Sequence, residues 1–374
     1  MEYTTLDKIS ENLDSKRKPI TSSDRVEGEI PYYGASGIVD YVKDYIFDES
    51  LLLVSEDGAN LLARSTPIAF SVTGKTWINN HAHVLRFSNE NLQKFVEIYL
   101  NSISLESYVT GSAQPKLNQK MLNGIPIPVV DDSQIEIIVN SVENLKSIIE
   151  LRKQELACLD ELIKARFVEM FGDPKINEKR WNSGIISDYY EVKGGKRIPK
   201  GMGYSGEVTT HPYLRATDMK NETILDDDIH YIDDEVYEHI KKYIVKGGDI
   251  YLTNVGVNLG MAGVIPDKYD GANLTENAVK LVPKTEKIID GRFLAHYINS
   301  PGIQEYINER KMSVGVPKLA IFRIETMPLL LPPIDIQIQF VKLCNQVDKS
   351  KVAVQKALDE TQLLFDSLMQ QYFG

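Results

Sequence analysis

The sequence predicts a mixed α/β fold of the α+β type, with two pseudo-repeated globular domains separated by an antiparallel two-helix coiled-coil spacer. Three observations lead to this prediction. The chain has 374 residues, more than one hydrophobic core usually supports. Segments of the first half recur in the same order in the second half. Each half ends in a long run of apolar residues at heptad spacing.

The composition is that of an ordinary soluble protein, with 43% hydrophobic and 25% charged residues. We find no run long and apolar enough to span a bilayer and no signal-peptide layout at the start of the chain. The cysteines Cys158 and Cys344 form neither a disulfide framework nor a zinc-ligand spacing, which predicts a cytoplasmic protein. The net charge of −11 argues against binding nucleic acid through bulk electrostatics. A DNA-binding surface would therefore need locally concentrated positive charge.

The internal repeat rests on ordered matches whose offset grows along the chain, as loop insertions in the second copy would produce. The offset is 180 residues for the first match, 196 for the third and 202 for the last two. The matching segments are Leu6–Pro19 with Ile186–Pro199, Leu51–Asn60 with Ile250–Asn258, His81-Ala82 with Asn277-Ala278, Pro115–Leu117 with Pro317–Leu319, and Phe171-Gly172 with Phe373-Gly374.

These matches divide the chain into four parts. Residues 1–130 are predicted to form the first globular domain and residues 131–172 the first spacer helix. Residues 173–331 contain a linker and the second domain, and residues 332–374 form the second spacer helix. Both globular segments combine short β-rich runs, glycines and short helical patterns, which is typical of a mixed α/β domain. Prolines precede both long helices, where they do not break a helix interior.

The predicted spacer helices each carry a seam of apolar residues at alternating steps of three and four. The first helix, from Ser133 to Phe171, would be on the order of 58 Å long. If it runs from the first domain toward the second, the other helix must return antiparallel. Arg152 and Arg166 interrupt the first seam, and we expect acidic partners for them on the facing helix. The residues predicted to pack the spacer are Ile135, Ile138, Val142, Leu145, Ile149, Leu156, Leu159, Ile163, Phe340, Val347, Val354, Leu358, Phe365 and Leu368.

The sequence also resembles a known family, the specificity (S) subunits of type I restriction–modification systems. The similar segments occur in both halves and in the same order as in that family. They are Pro31–Leu61, Gly111–Val130 with the following helix, Asp249–Gly260, Ser313–Leu319 and Pro328–Phe340.

The resemblance implies two target-recognition domains that read an asymmetric, bipartite site on double-stranded DNA. It also implies binding of two methylation (M) subunits and, for cleavage, of restriction (R) subunits. S-adenosylmethionine, ATP and Mg would belong to these partners, and we expect no cofactor in this chain. The S subunit would be a non-catalytic component that directs adenine methylation and cleavage by its partners.

Candidate DNA contacts are basic, amide or hydroxyl side chains in loops, many of which recur between the halves. Lysine and arginine loops bind phosphate, and arginine also forks onto guanine. The alternative for the basic clusters is a solvated turn, and for the Pro-Lys-Leu turns a purely loop-shaping role. The candidates are Lys16, Arg17, Lys18, Arg64, Ser112, Gln114, Lys116, Lys193, Lys196, Arg197, Lys200, Arg215, Asn254, Asn258, Ser313 and Lys318. For Tyr32, Tyr33 and Tyr213, half-buried strand positions are the commoner role.

Catalytic and metal-binding interpretations find little support. Gly74-Lys75-Thr76 resembles the end of a phosphate-binding loop, but Ala69 occupies the position of its first glycine. His81 and His83 lack an accompanying His or Cys cluster, so we predict structural roles for both and no metal site. Two alternatives to DNA reading stay open. One is a coiled-coil scaffold that never touches DNA, and the other is a DNA-modifying enzyme that acts alone.

Overall fold

The computed structural model describes residues 2–111, 114–284, 288–312 and 314–374. The chain divides into two compact units. Unit 1 consists of Met1–Gln154 and Gln355–Gly374, and unit 2 of Glu155–Val354. Each unit therefore combines one globular domain with parts of both long helices.

Unit 1 contains ten strands and four short helices in its described residues, followed by the first part of a long helix. The strands are β1 (Tyr3–Thr5), β2 (Ser10–Asn12), β3 (Glu27–Gly34), β4 (Gly37–Val42), β5 (Phe47–Asp48), β6 (Leu51–Ser55), β7 (Ala69–Val72), β8 (Lys75–Ile78), β9 (Ala82–Phe87) and β10 (Pro126–Pro128). The helices are α1 (Leu6–Ile9), α2 (Asn60–Ala63), α3 (Glu90–Ser102), α4 (Gln119–Asn123) and the long α5 (Asp132–Phe171).

Unit 2 begins within α5 and repeats much of this order. Its strands are β11 (Asn182–Ile185), β12 (Tyr190–Gly194), β13 (Pro212–Leu214), β14 (Met219–Lys220), β15 (Thr223–Ile224), β16 (His230–Tyr231), β17 (Ile250–Thr253), β18 (Ala262–Val264), β19 (Asn273–Leu274), β20 (Ala278–Pro283) and β21 (Pro328–Leu331). Its helices are α6 (Ile186–Tyr189), α7 (Asp234–Ile240), α8 (Gly291–Asn299), α9 (Pro301–Arg310), α10 (Ile321–Glu325) and the long α11 (Ile334–Phe373).

The central sheets of the two units share one topology. The central antiparallel sheet has the order β2-β9-β6-β7 in unit 1 and β12-β20-β17-β18 in unit 2. A second sheet has the order β4-β3-β8-β5 or β16-β13-β19, and in both units one pair of its strands is parallel. The first and last strands of each domain pair as β1-β10 and β11-β21. The matching pairs confirm the internal repeat.

The central strands are buried on both faces because their side chains alternate between two hydrophobic cores. In β6, Leu52 and Val54 belong to the core that includes α3, and Leu51 and Leu53 belong to the core on the opposite face. In β17, Ile250 and Leu252 point into one core and Tyr251 into another. A run of consecutive apolar residues is the pattern that such a two-sided position requires.

The two long helices contribute to the main core of each unit. In unit 1, Ile135 and Val142 near the start of α5 share a core with Phe365 and Phe373 near the end of α11. In unit 2, Phe167 and Phe171 at the end of α5 pack on Phe340 near the start of α11. Within each unit the two helices therefore run antiparallel, as the sequence predicts.

The residues predicted to pack the spacer are all buried or half-buried. Ile135, Ile138, Val142, Leu145, Ile149, Ile163, Phe340 and Val347 are buried. Leu156, Leu159, Val354, Leu358, Phe365 and Leu368 are half-buried.

The prediction that the two seam arginines have acidic partners on the facing helix is wrong. Arg152 donates to the Ala357 carbonyl and the Thr361 hydroxyl of α11, neither of which is acidic. Arg166 is exposed and pairs with Glu169 of its own helix, 2.7 Å between Nη1 and Oε2. Phe167 takes the buried position instead, with 4% of its surface exposed. The seam therefore moves by one residue near the end of α5.

None of the described helices combines the length and the apolar character that a bilayer crossing requires.

Removing an aromatic ring from the core of unit 2 should destabilise that unit. Phe340 is fully buried among Phe167, Phe171 and His296. We expect Phe340→Ala to lower the free energy of unfolding by about 3–5 kcal/mol, since a buried phenylalanine leaves a cavity. Trp181, which packs on this core, reports the transition by its fluorescence in a Trp77→Phe background during urea denaturation. The control Val352→Ala removes a side chain that is 71% exposed and should change little. Equal effects of the two substitutions would contradict the packing described above.

Candidate nucleic-acid interface

The Pro-Lys-Leu segment of unit 1 is fixed to the loop that follows β6. Leu117 N donates to Glu56 O at 2.8 Å, and Gly58 N donates to Pro115 O at 3.0 Å. Lys116 also exchanges two backbone hydrogen bonds with Thr110. We call segments 14–18, 56–58 and 114–117 the Lys116 junction. Its backbone bonds leave the Lys116 side chain 53% exposed.

Unit 2 forms the same set of backbone bonds. Leu319 N donates to Asn254 O at 2.8 Å, Gly256 N donates to Pro317 O at 2.9 Å, and Lys318 exchanges two bonds with Met312. Gly58 and Gly256 both have positive φ angles, 108° and 102°, which L side chains rarely adopt. We call segments 254–256 and 316–319 the Lys318 junction. Lys116 and Lys318 are therefore structurally equivalent, and both are exposed.

The basic loops are tied to strand tyrosines in both units. The Tyr32 hydroxyl accepts a hydrogen bond from Ile20 N at 3.0 Å, just after the first basic cluster. The Tyr213 hydroxyl donates to Lys196 O at 2.8 Å, inside the second cluster. Both tyrosines are buried. Their hydroxyl groups hold the backbone of the basic loops through these hydrogen bonds.

A buried ionic cluster underlies the Lys116 junction. His83, 1% exposed, has Nδ1 at 2.5 Å from Asp14 Oδ2 and Nε2 at 2.7 Å from Leu117 O. Both ring nitrogens thus face oxygen atoms that can accept a hydrogen bond. The Glu56 carboxylate forms ion pairs with Arg17, 2.6 Å from Nη1, and with Lys116, 3.1 Å from Nζ. This cluster joins the three segments of the junction.

The cluster shifts the pKa values of its carboxyl groups. Burial by itself raises the pKa of Asp14, but the hydrogen bond and charge of His83 and the charge of Arg17 outweigh it. Burial likewise raises the pKa of Glu56, and the hydrogen bonds from Arg17 and Lys116 outweigh it. Both carboxyl groups therefore have pKa values below their usual range. They are ionised at neutral pH.

Ligand-type atoms of Asp14, Glu56 and His83 lie within 4.8 Å of one another, as a metal site would require. Arg17 and Lys116 already supply positive charge to Glu56, and His83 donates to Asp14. A cation at this position would face these groups at short range. The cluster is better described as a structural ion network than as a metal centre.

Three of the candidate arginines have their guanidinium groups engaged within the protein. Arg17 is 13% exposed and also donates to Ala82 O at 2.7 Å. Arg64 donates to the carbonyls of Leu100, Asn101 and Ile103. Arg215 pairs with Asp218 at 2.7 Å and Asp228 at 2.9 Å. These contacts give each arginine a structural role, while contact with DNA stays a prediction for all three.

The other basic candidates are exposed. Arg197, 79% exposed, contacts Glu276 at 2.5 Å between Nε and Oε1, and Lys193 pairs with Glu191 at 2.9 Å. Exposed ion pairs of this kind contribute little to stability, so DNA phosphates can replace them at low cost. The remaining exposed lysines are Lys16, Lys18, Lys196 and Lys200.

The amide and hydroxyl candidates differ in position. Gln114 is exposed beside Lys116. Asn254 is buried, and its Nδ2 lies 3.4 Å from Leu319 O, so it shapes the Lys318 junction. Asn258 is half-buried and contacts Ala216 O at 3.4 Å. Ser112 and Ser313 lie outside the described residues.

Sequence reasoning missed the acidic members of the Lys116 junction, which are Asp14, Glu56 and Asp57. The structural role predicted for His81 stays a prediction. His81 is 51% exposed, and its Nδ1 contacts both carboxylate oxygens of Asp57 at 3.0 and 2.9 Å. The alternation His81-Ala82-His83 was the available signal, since it places one ring at the surface and the other in the core.

Comparison with known protein families identifies the chain. A model of the "Type I restriction modification DNA specificity domain" matches residues 1–161 and again residues 178–361. The chain belongs to the family of type I restriction–modification specificity (S) subunits. It carries one such domain in each half, and this membership implies DNA sequence specificity.

Relatives among S subunits agree over most of the chain. A putative type I restriction enzyme specificity subunit of Haemophilus influenzae is 28% identical, covering 85% of this chain and 84% of the relative. The specificity subunit of the type I restriction enzyme MjaVIII of Methanocaldococcus jannaschii is 20% identical, covering 92% of this chain and 87% of the relative.

Solved structures share the fold. The S subunit of the type I system of M. genitalium superposes with a TM-score of 0.60 at 15% identity, covering 100% of this chain and 96% of that one. A chain from a structure describing complex assembly and conformational transition of the type I R-M system has a TM-score of 0.59 at 13% identity, covering 100% and 97%.

The buried ion network should stabilise unit 1 in a pH-dependent way. Glu56→Gln removes the charge that Arg17 and Lys116 share and leaves Arg17 only its longer carboxylate contact, to Asp14, 3.4 Å between Nη2 and Oδ2. We expect a loss of about 2 kcal/mol at pH 7. Because the pKa of Glu56 is lowered on folding, its stabilisation is complete above the ordinary value of 4.5 and is lost as the pH falls below it. The difference between the two proteins should therefore shrink toward pH 3. Urea denaturation followed by Trp77 fluorescence in a Trp181→Phe background measures it.

The matched control is Glu106→Gln, which changes an exposed carboxylate of unit 1 and should leave stability unchanged at both pH values. A penalty for Glu56→Gln that is the same at pH 7 and pH 3 would contradict an ionised Glu56 as the source of the stabilisation.

Proposed function

We propose that this S subunit reads an asymmetric, bipartite site on double-stranded DNA and directs adenine methylation and cleavage by partner subunits. Unit 1 would read one half-site and unit 2 the other. The observation that carries the proposal is the paired junction. The same backbone bonds present one exposed lysine, Lys116 or Lys318, in each unit. Equivalent lysines positioned by equivalent loops suit contacts to equivalent phosphates in two half-sites.

The two half-sites would differ because the side chains around the lysines differ. The ionic residues Glu56 and His83 of unit 1 correspond to Asn254 and Val279 in unit 2. The second sheets also differ, with the order β4-β3-β8-β5 in unit 1 and β16-β13-β19 in unit 2. The two junctions would hold phosphates at equivalent positions. The different side chains around them would then contact different bases.

The proposed chemistry belongs to partners rather than to this chain. Methylation (M) subunits, two per S subunit, would supply the S-adenosylmethionine site. Restriction (R) subunits would supply the ATP- and Mg-dependent steps of cleavage. The S subunit itself carries a net charge of −11, so its few exposed cations need partner surfaces to hold DNA firmly. Free S subunit should therefore bind DNA weakly and with a strong salt dependence.

The test of this function is selection from duplexes with randomised sequence, using the chain together with its methylation partner. Recovery of a two-part consensus supports the proposal. Indifference to sequence would favour a coiled-coil scaffold instead. Methyl transfer from S-adenosylmethionine by the purified chain alone would favour a stand-alone enzyme.

Exchanging the first domain should change half of the recognised site. Replacing residues 1–130 by the equivalent segment of another S subunit alters the unit 1 surface and leaves residues 173–331 as they are. We expect a new sequence in one half-site and the original sequence in the other. Sequencing of methylated adenines in cells that carry the hybrid and the methylation partner measures both. Simultaneous change of both halves would contradict independent reading.

Removing a junction lysine should weaken binding without changing sequence preference. We expect Lys116→Gln or Lys318→Gln, in the complex with the methylation partner, to lower affinity equally for all sequences. The slope of log Kd against log salt should fall by about 1, as for a lost phosphate contact. Lys94→Gln, an exposed lysine of α3 outside the junction, is the control and should leave the slope unchanged. An unaltered slope in both junction variants would remove the phosphate role.

A further inference from the structure

The turn before the last central strand occupies equivalent positions in the two units. In unit 1 it consists of residues 79–81, and His81 N donates to Asn79 Oδ1 at 2.8 Å. In unit 2 it consists of residues 275–277, and Asn277 N lies 3.4 Å from Thr275 Oγ1. Each turn closes on itself through a side-chain oxygen two residues earlier. Residues 81 and 277 therefore occupy equivalent positions, at the end of the turn and directly before the last strand of the central sheet.

Both turns are attached to the lysine junctions described above. Glu56 N donates to His81 O at 2.9 Å, while the next residue, Asp57, pairs with Lys116 as an isolated β-bridge. In unit 2, Val255 both donates to Asn277 O and pairs with Lys318. In each unit a residue that differs between the units, His81 or Asn277, is thus linked through one strand end to the equivalent lysine.

The imidazole of His81 is oriented by Asp57. The carboxylate accepts from Nδ1, so the proton on that nitrogen is fixed and Nε2 is left as the outer ring atom. The Asp57 side chain is 19% exposed, against 51% for His81. A partly shielded carboxylate behind a more exposed ring holds the ring in one direction, which suits directional hydrogen bonding to a ligand.

A concave surface of about 650 Å³ adjoins His81. Its lining includes Pro19, Arg25, Tyr32, Asn79 and Asn80. Pro19 directly follows Lys18, which is exposed. The concavity is mainly apolar, and its polar groups include the amides of Asn79 and Asn80 and the guanidinium of Arg25, so it can receive the edge of a base beside His81.

We propose that His81 and Asn277 are the specificity-determining residues at equivalent points of the two units, each contacting a base edge while the nearby lysine holds a phosphate. This inference rests on the proposed function. His81 would use Nε2, and Asp57 would act as its positioning residue. Asn277 has an amide, which can form two hydrogen bonds to one adenine. The two units would then read different bases through one framework position.

The experiment compares His81→Asn, Asn277→His and Asp57→Asn with the wild-type chain, each in complex with the methylation partner. Duplexes randomised in both half-sites are selected by binding, and base preference is measured at every position. We expect His81→Asn to change preference by about tenfold or more at one or two adjacent base pairs of one half-site. Asn277→His should do so at the corresponding place of the other half-site, and Asp57→Asn should affect the same position as His81→Asn.

The matched control is His239→Asn, which changes an exposed histidine of α7 outside both turns and should leave the consensus unaltered. A wild-type consensus that persists at every position in His81→Asn and Asn277→His would overturn the inference while the proposed function stands. A wild-type complex without any consensus would overturn both. If His81→Asn does not fold, Asp57→Asn carries the same test, since its charge change alone should alter the same base pair.

Discussion

The packing of both long helices into the cores of the globular domains is the constraint on which the rest of the structure depends. In unit 1, Phe373 of α11 contacts Phe95 and Tyr99 of α3, with ring centroids 5.6 and 5.5 Å apart. In unit 2, Phe171 of α5 lies 4.7 Å from Phe293 of α8. Aromatic contacts of this kind bury large areas and fix a definite geometry. The helices are therefore structural parts of the recognition domains, and the loops that carry the junction lysines are supported by the same cores.

The two junctions show how one backbone framework can support different chemistry. Unit 1 fills the space beneath its lysine with an ion network, and unit 2 fills the equivalent space with Val279 and the buried Asn254. The backbone hydrogen bonds that hold the Pro-Lys-Leu segments are the same in both. Because the loop position depends on those bonds and on a glycine with positive φ, side chains around it are free to diverge. Divergence of this kind is what a protein that reads unlike sequences with like domains requires.

The duplication and the two long helices could be predicted from the sequence, because repeated segments and apolar periodicity are local signals. The roles of Arg17, Arg64 and Arg215 could not, since their partners include carbonyl and carboxylate oxygens brought close only by the fold. Arg64, for example, binds carbonyls beyond residue 99. The seam was misplaced at Arg166 because a helix of 3.6 residues per turn drifts from a strict heptad repeat. Over several turns this drift brought Phe167 and Phe171 inward. The ion pair of His81 with Asp57 could not be predicted either, because alternation alone does not tell which ring of a pair is exposed.

The boundaries of the sequence repeat differ from those of the structural units, and this difference affects how the protein folds. Unit 2 is one continuous stretch, Glu155–Val354, whereas unit 1 joins its first 154 residues to a segment that begins at Gln355. On the ribosome, the domain that is synthesised first must wait with part of its core open until the segment beyond residue 354 emerges. The domain that is synthesised second is complete once residue 354 has been made, before the last segment of unit 1. Since apolar surface that stays exposed during synthesis promotes aggregation, the earlier domain is the one that gains most from a chaperone.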